Sequence, residues 1–527
     1  MAKALRDHRN RPVVAVTGIG MISSLGVGLD ENWKAVTAGK SGVHRITRFP
    51  TTHLKTTIAG TIDYLSGDFQ SLTLQAGELA GDEAVRMAGI GSPGDFPGPL
   101  FTAIPPVEME WKLRRRLYDS AAPDIQDAYD RMIATAGEAN DHREYEQLMY
   151  GHVGEKLAER FGTKGAPISL TTACASGATA IQLGVEAIRR GECDRAISIG
   201  ADGSATEEAV IRFSLLSALS TQNDVPEKAS KPFSRDRDGF VLAEGGAALV
   251  LESLEAANAR GATVLGIMAG CGERADDFHR TRSKPDASPA IAAVRAALAD
   301  AGLDETGIGY VNAHGTSTPE NDKMEHLALS TVFGERIRGI PVSSNKSMIG
   351  HTLSAAGAVE AAFSLMTMRE GIIPPTINYD HPDPAIELDV VPNVKREADI
   401  ATVLSNSFGF GGQNTCLVMA REPSSDAAVR IRVEYGFADR ALASARGELD
   451  PAGPDPLARL GEPVPVALPR GISIRAPRDQ HGGPRPVLDG VDVGEEDGVR
   501  RSRRRGSFHR VCCFERRDAR ASRVGGK

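Results

Sequence analysis

Along the first 420 positions, short apolar runs alternate with longer stretches whose apolar residues return every three or four places. Residues 12–16, 168–172, 196–199, 247–251, 308–312, 340–344 and 415–419 read as strands. The first of these leads into a glycine-punctuated loop, Thr17-Gly18-Ile19-Gly20. Between the runs lie helices with clear punctuation. One opens at Ser288-Pro289, where Ser can cap and Pro suits the first turn; it carries Ile291, Val294 and Leu298 on one face and stops at Gly302. A second runs over about 355–369 and stops at Gly371, and a third carries Ile181, Val185 and Ile188 and ends at Gly191. Strands alternating with helices predict a layered α/β architecture. No internal sequence period marks a repeated half.

The pattern fails after residue 420. The last 107 residues hold 20 Arg but one Lys, with 10 Pro and 13 Gly, and no sustained periodicity. They carry 21 basic against 16 acidic residues, leaving 40 against 53 in the first 420. This composition reads as a disordered extension, because little apolar surface is available to offset the entropy of ordering. A basic interaction arm centred on 500–505 is the alternative reading, and the Arg-over-Lys bias also suits an altered reading frame.

Composition narrows the class of the whole chain. Its 527 residues are long enough for more than one sizeable core, and a net charge of −8 lacks the basic footprint of nucleic-acid binding. No run of 18 apolar residues predicts a membrane span, and residues 1–16 hold no apolar signal core. Six cysteines in no paired pattern point to a reducing, cytoplasmic setting.

Four segments carry candidate chemistry. Thr171-Thr172-Ala173-Cys174-Ala175-Ser176-Gly177 joins a strand to a helix, so Cys174 sits on a tight turn among small neighbours that let a substrate approach. The helix N-terminus there favours thiolate. A buried structural cysteine is the competing reading. Asn312-Ala313-His314-Gly315-Thr316 and Ser344-Asn345-Lys346-Ser347-Met348-Ile349-Gly350-His351 each place a His after a strand, where open α/β sheets bind ligands. One such His is most simply structural; two with a Cys in matching settings point to one assembled site. Asn406-Ser407-Phe408-Gly409-Phe410-Gly411-Gly412 is a glycine-rich loop able to aim N–H groups at an oxyanion, or an ordinary turn. Gly18-Ile19-Gly20 is no dinucleotide loop, since its third glycine would fall at Ser23. His314, Asp322, His326 and His351 match no zinc spacing, so no metal is expected.

Taken together, TTACASGA, NAHGTSTPENDKMEH, SSNKSMIGH and SNSFGFGGQN make the chain resemble β-ketoacyl-acyl-carrier-protein synthases of the I/II type. VVAVTGIGMISSLG and KPFSRDRDGFVLAEGGAALVLE add to a resemblance that spans about 11–420. It implies a thiolase-like five-layered αβαβα sandwich of two similar halves, 11–262 carrying Cys174 and 263–420 carrying His314, Lys346 and His351, followed by the 421–527 tail. It implies a homodimer, acyl carrier protein as partner and no cofactor. Cys174 would take the acyl chain, and His314 and His351 would serve malonyl decarboxylation. The N–H groups of Cys174 and Phe410 would form an oxyanion hole, with Phe408 and Phe410 at the acyl pocket and Phe410 as its gate. Lys346 would be the structural lysine, with Asp322 and Glu325 as candidate ion-pair partners. Thiolases carry a second cysteine where Phe408 and Phe410 stand, and the type that primes from acetyl-CoA has Asn at the place of His351. The 98–164 stretch departs from the family pattern, which leaves chain-length preference open. A ketosynthase of a specialised lipid or polyketide pathway, or a non-catalytic chain-length partner, are the alternatives.

Overall fold

A computed structural model of the chain describes residues 5–91, 94–106, 110–120, 124–138 and 146–422. The expectations for the 423–527 part of the tail fall outside the described residues. The strands along the main path of the large sheet are β1 (Val14–Ser23), β2 (Leu100–Ala103), β3 (Ile168–Leu170), β4 (Arg195–Asp202), β5 (Gly245–Ser253) and β6 (Gly266–Ala275). They continue as β7 (Tyr310–Asn312), β8 (Pro341–Ser343), β9 (Asp389–Val390), β10 (Thr402–Phe408) and β11 (Gln413–Ala420). The helices that position the site are α1 (Phe69–Ala88), α2 (Ser176–Arg189), α3 (Ser288–Ala301), α4 (Pro319–Phe333) and α5 (Ala356–Glu370).

These eleven strands join one sheet, in the order β9-β8-β7-β10-β11-β6-β1-β5-β4-β2-β3, and a further two-residue strand, Gly26–Val27, pairs with β1. Outward from β1 the order is β1-β5-β4-β2-β3; outward from β6 it is β6-β11-β10-β7-β8, with the two-residue β9 added beyond β8 and set aside in the comparison that follows. In chain order both read first, fifth, fourth, second, third. Both also pair antiparallel, antiparallel, parallel, parallel. A topological repeat is therefore present where no sequence period is. β1 and β6 stitch the two sets together, antiparallel, at Val14–Met268 to Val16–Gly266.

Five layers follow from what each helix covers. α1 packs on β1, β5 and β4; α3 packs on β6 and β11, with α4 beside it. α2 and α5 lie against each other between the two sets of strands. A helix sandwiched in this way has no solvent face, and α5 is buried from Ala356 through Met368. The central helices meet backbone to backbone: a Cβ added to Gly177 would come 2.6 Å from Ala358 N, and one added to Gly357 would come 2.4 Å from Ala178 N.

Two expectations are corrected. Thr17-Gly18-Ile19-Gly20 is no loop: β1 runs through it to Ser23. A Cβ on Gly18 or Gly20 would lie 2.0 or 1.9 Å from the Ala84 and Ala80 carbonyl oxygens, so these glycines let α1 rest directly on the strand. Ser288 does not cap α3 but is its first residue; the cap position is Ala287, and the Ser288 N–H takes Asp286 Oδ1 at 2.9 Å. The stops at Gly302 and Gly371 stand, both left-handed at φ 70° and 65°.

Candidate active site

The C-terminal ends of the parallel strands carry the chemistry. β3 leads to Cys174, β7 to His314, β8 to Lys346 and His351, and β10 to Phe408 and Phe410. β7 and β8 are hydrogen-bonded neighbours in register, Asn312 beside Ser343, so the loops after them converge.

The Cys174 turn is held tightly. Ala173 before it takes φ 49°, a left-handed conformation that a side-chain-bearing residue adopts at a cost of ~1–3 kcal/mol. Ser176 brackets that strain: its hydroxyl donates to the Ala173 carbonyl at 2.6 Å and accepts from the Thr172 N–H at 2.8 Å. The glycine-rich loop then closes over the turn, where a Cβ on Gly409 would meet the Thr172 oxygen at 2.7 Å. That proximity sets the N–H groups of Phe410 and of Cys174 itself toward the sulfur.

The Cys174 sulfur and one ring nitrogen each of His314 and His351 lie within 4.8 Å of one another. The imidazoles stack edge to face, with centroids 5.3 Å apart. Burial, with the positive charge of Lys346, holds both rings well below the usual histidine range, so both are neutral. Their tautomers follow from their partners. His351 Nδ1 accepts the Leu353 N–H at 3.2 Å, so its proton stands on Nε2, which is buried without a partner. His314 Nδ1 lies 3.3 Å from the Lys346 ammonium, which can only donate, so its proton also stands on Nε2.

Three Cys and His donors this close are the kind of set that could hold a cation. Here the ammonium of Lys346 stands beside one of them, and its charge opposes a metal ion. The four residues His314, Asp322, His326 and His351 are not brought together as a set: Asp322 faces Phe233 and Arg237, and His326 Nε2 faces the Glu387 N–H.

Two sequence expectations need correction. Cys174 does not rest as thiolate: burial pushes its thiol up to about 11, against smaller opposing effects from the Phe410 N–H and Lys346. Desolvation outweighs the helix terminus. Nor does Lys346 pair with Asp322 or Glu325; it pairs with Glu360 of α5. Glu325 instead accepts the N–H groups of His314 (2.9 Å) and Gly315 (2.8 Å) and the Asn406 amide (3.0 Å), so it holds the His314 loop. Asp322 accepts the Phe233 N–H at 2.8 Å. Sequence reasoning missed Glu360, although it is the sole charged residue between Ala355 and Met368. Its carboxyl is raised to about 7 by burial, with Lys346 pulling the other way.

A cavity of about 60 Å³ opens onto Cys174, His314 and His351. Phe408 closes one wall, its ring 5.9 Å from that of His314. Phe410 also lines the cavity and belongs to an apolar cluster with Phe213, Phe240 and Leu353. Thr316, Thr318 and the 279–283 segment line the cavity too.

Comparison with known proteins agrees with this arrangement. The beta-ketoacyl synthase N-terminal domain matches residues 11–87 and 123–257, and the C-terminal domain of the same name matches 265–380. The unmatched 88–122 segment overlaps only the first part of the 98–164 departure, which is narrower than expected. A 3-oxoacyl-[acyl-carrier-protein] synthase 2 of Coxiella burnetii is 36% identical over 429 residues, covering 77% of this chain and 98% of the relative. The tetracenomycin polyketide synthase ketoacyl synthase alpha subunit of Streptomyces glaucescens is 35% identical over 433 residues, covering 79% and 98%. A solved type II polyketide ketosynthase, bound to a hexaketide and in complex with its acyl-carrier protein, superposes with a TM-score of 0.67 at 30% identity, covering 78% of this chain and all of that one.

Proposed function

The chain belongs to the beta-ketoacyl synthase family, and from that premise we propose how its residues perform the condensation. It is a β-ketoacyl-acyl-carrier-protein synthase of thiolase-like fold, joining a malonyl unit to an acyl chain with loss of CO₂. Cys174 is the nucleophile: its sulfur attacks the acyl thioester, and the thiol proton departs with the carrier's sulfur as a free thiol. The N–H groups of Cys174 and Phe410 hold the oxyanion that forms. Malonyl-carrier protein then loses CO₂ to leave an enolate. The enolate carbon attacks the acyl thioester, and the Cys174 sulfur leaves and takes up a proton.

The decarboxylation step falls to the histidines. Two neutral rings protonated on Nε2, each with a ring nitrogen within 4.8 Å of the sulfur, can both donate to the malonyl thioester oxygen as it gains charge, and a preorganised donor pair is worth most in a buried site. This pair is the observation that carries the reading. Lys346, neutralised by Glu360, holds the His314 tautomer; Glu325 holds the His314 loop, and Asp322 supports the neighbouring Phe233 turn. Phe408 and Phe410 bound the acyl pocket, with Phe410 as its gate.

We place the two halves at 11–262 and 263–420, on the recurring strand order. Acyl carrier protein is the partner proposed for this chain, and a cytoplasmic homodimer the form; β3 ends the sheet with Ile168 47% exposed, an edge a second copy could cover. No helix among the described residues is long and apolar enough to cross a membrane.

Incubation with an acyl-carrier protein, followed by mass spectrometry, tests the nucleophile. One acyl adduct on Cys174 is expected, and none in Cys174→Ala. An adduct on another residue would overturn the assignment. Offering acyl chains of graded length, and reading whether one or several malonyl units are added, separates fatty-acid elongation from polyketide extension.

A further inference from the structure

We propose that Asp202 is a positioning residue for His351, holding the turn that keeps the ring's proton on Nε2. Asp202 is the last residue of β4, on the strand against which the Cys174 helix α2 packs. It is fully buried. One carboxylate oxygen accepts the Ser204 N–H at 3.0 Å and the Ser204 hydroxyl at 2.5 Å. The other crosses to the opposite half of the chain and accepts the Ser354 N–H at 3.0 Å.

That second contact lies one residue from the site. Ser354 follows Leu353, whose N–H donates to His351 Nδ1 at 3.2 Å. Leu353 takes φ 43°, a left-handed conformation that a leucine adopts only where its surroundings impose it. The Asp202 carboxylate is such an imposition, since it fixes the next peptide N–H. The backbone of His351 is held separately, by Val241 O at 2.7 Å and Ala243 N at 3.0 Å. What the Leu353 turn adds is the ring. With Nδ1 accepting, Nε2 carries the proton into the site; with the turn relaxed, a neutral imidazole can place it on Nδ1 and present a lone pair instead.

A buried carboxyl is expensive, and burial drives this one above its ordinary range. An amide could cap the Ser204 turn or the Ser354 N–H, but it has one acceptor oxygen where both turns face donors. The carboxylate serves both and so ties the nucleophile's half to the histidine's turn.

The proposal rests on His351 acting in decarboxylation, so Asp202→Ala and Asp202→Asn are compared with His351→Ala. Two steps are read separately: acyl transfer to Cys174, and CO₂ release from malonyl-carrier protein. Thermal midpoints confirm that each variant is folded. Asp202→Ala is expected to slow CO₂ release ~10–100-fold, taking the loss seen when the hydrogen-bonded partner that orients a metal-ligating histidine is removed as the guide. Acylation should stay within about threefold, and Asp202→Asn, with one acceptor left, should fall between. In ¹⁵N-histidine NMR the Nε2–H signature of His351 should persist in wild type and be lost in Asp202→Ala. Equal loss in both steps, or an unchanged tautomer, overturns the proposal. If His351→Ala releases CO₂ normally, the assigned role of His351 fails, while the tautomer measurement still decides Asp202.

Discussion

The thiol of Cys174 offers a direct numerical test. Its pKa is pushed from 9.0 to about 11 by burial. Two pH units correspond to ~2.7 kcal/mol against the thiolate. At pH 8 the thiolate fraction is then ~0.1%, where an unperturbed thiol at 9.0 would hold ~10%, so alkylation by iodoacetamide should run ~100-fold slower than at a free cysteine. The assay is the pseudo-first-order rate of Cys174 modification from pH 6.5 to 10, followed by mass spectrometry of the Cys174 peptide. The rate should climb about tenfold per pH unit across the range without a plateau, because only the thiolate reacts. Lys346→Met, which removes a charge that favours the thiolate, should lower the whole line. A plateau at or below pH 8 would refute the reasoning, showing that the α2 terminus and the neighbouring N–H groups outweigh desolvation.

Three further outcomes are expected. Gly177→Ala or Gly357→Ala, each forcing a methyl into the α2–α5 contact, should cost ~1–3 kcal/mol in urea unfolding, less up to ~1 kcal/mol of helix propensity; wild-type midpoints would mean the helices can part. His314→Ala should slow CO₂ release by ~10²–10³ and acylation far less; equal losses would make the histidine structural. Glu360 has its folded pKa raised from 4.5 to about 7, so its contribution to stability is present below pH 4.5 and lost as pH rises through 7; Glu360→Gln should flatten that decline in thermal melts, and an unchanged slope would remove Glu360 as its source.

Much of the site is legible in the residues themselves. Cys174, His314, Lys346, His351 and Phe410 each sit in a short segment directly after an apolar run, where small residues and glycines interrupt an otherwise regular alternation. Such interruptions are local, and local backbone demands are written in the residues that meet them. The resemblance to condensing enzymes rests on the same segments.

Three matters are decided only in three dimensions. Gly18 and Gly20 read as loop glycines because glycine weakens a strand; α1, arriving from residues 69–88, is what makes their missing side chains necessary. The state of Cys174 reads as a helix-terminus effect, yet the burial that dominates it is built by the loop after Phe408 and by the histidine loops, all distant in sequence. The partner of Lys346 escapes a linear reading because Asp322 and Glu325 belong to a recognisable motif, whereas Glu360 hides in an apolar helix. Pairing depends on which layer faces which, and the sequence determined the strands, turns and nucleophile but not that stacking. Packing α5 between two sets of strands alone brings Glu360 to Lys346, because a charge on a helix with no solvent face must find its counter-charge inside the protein.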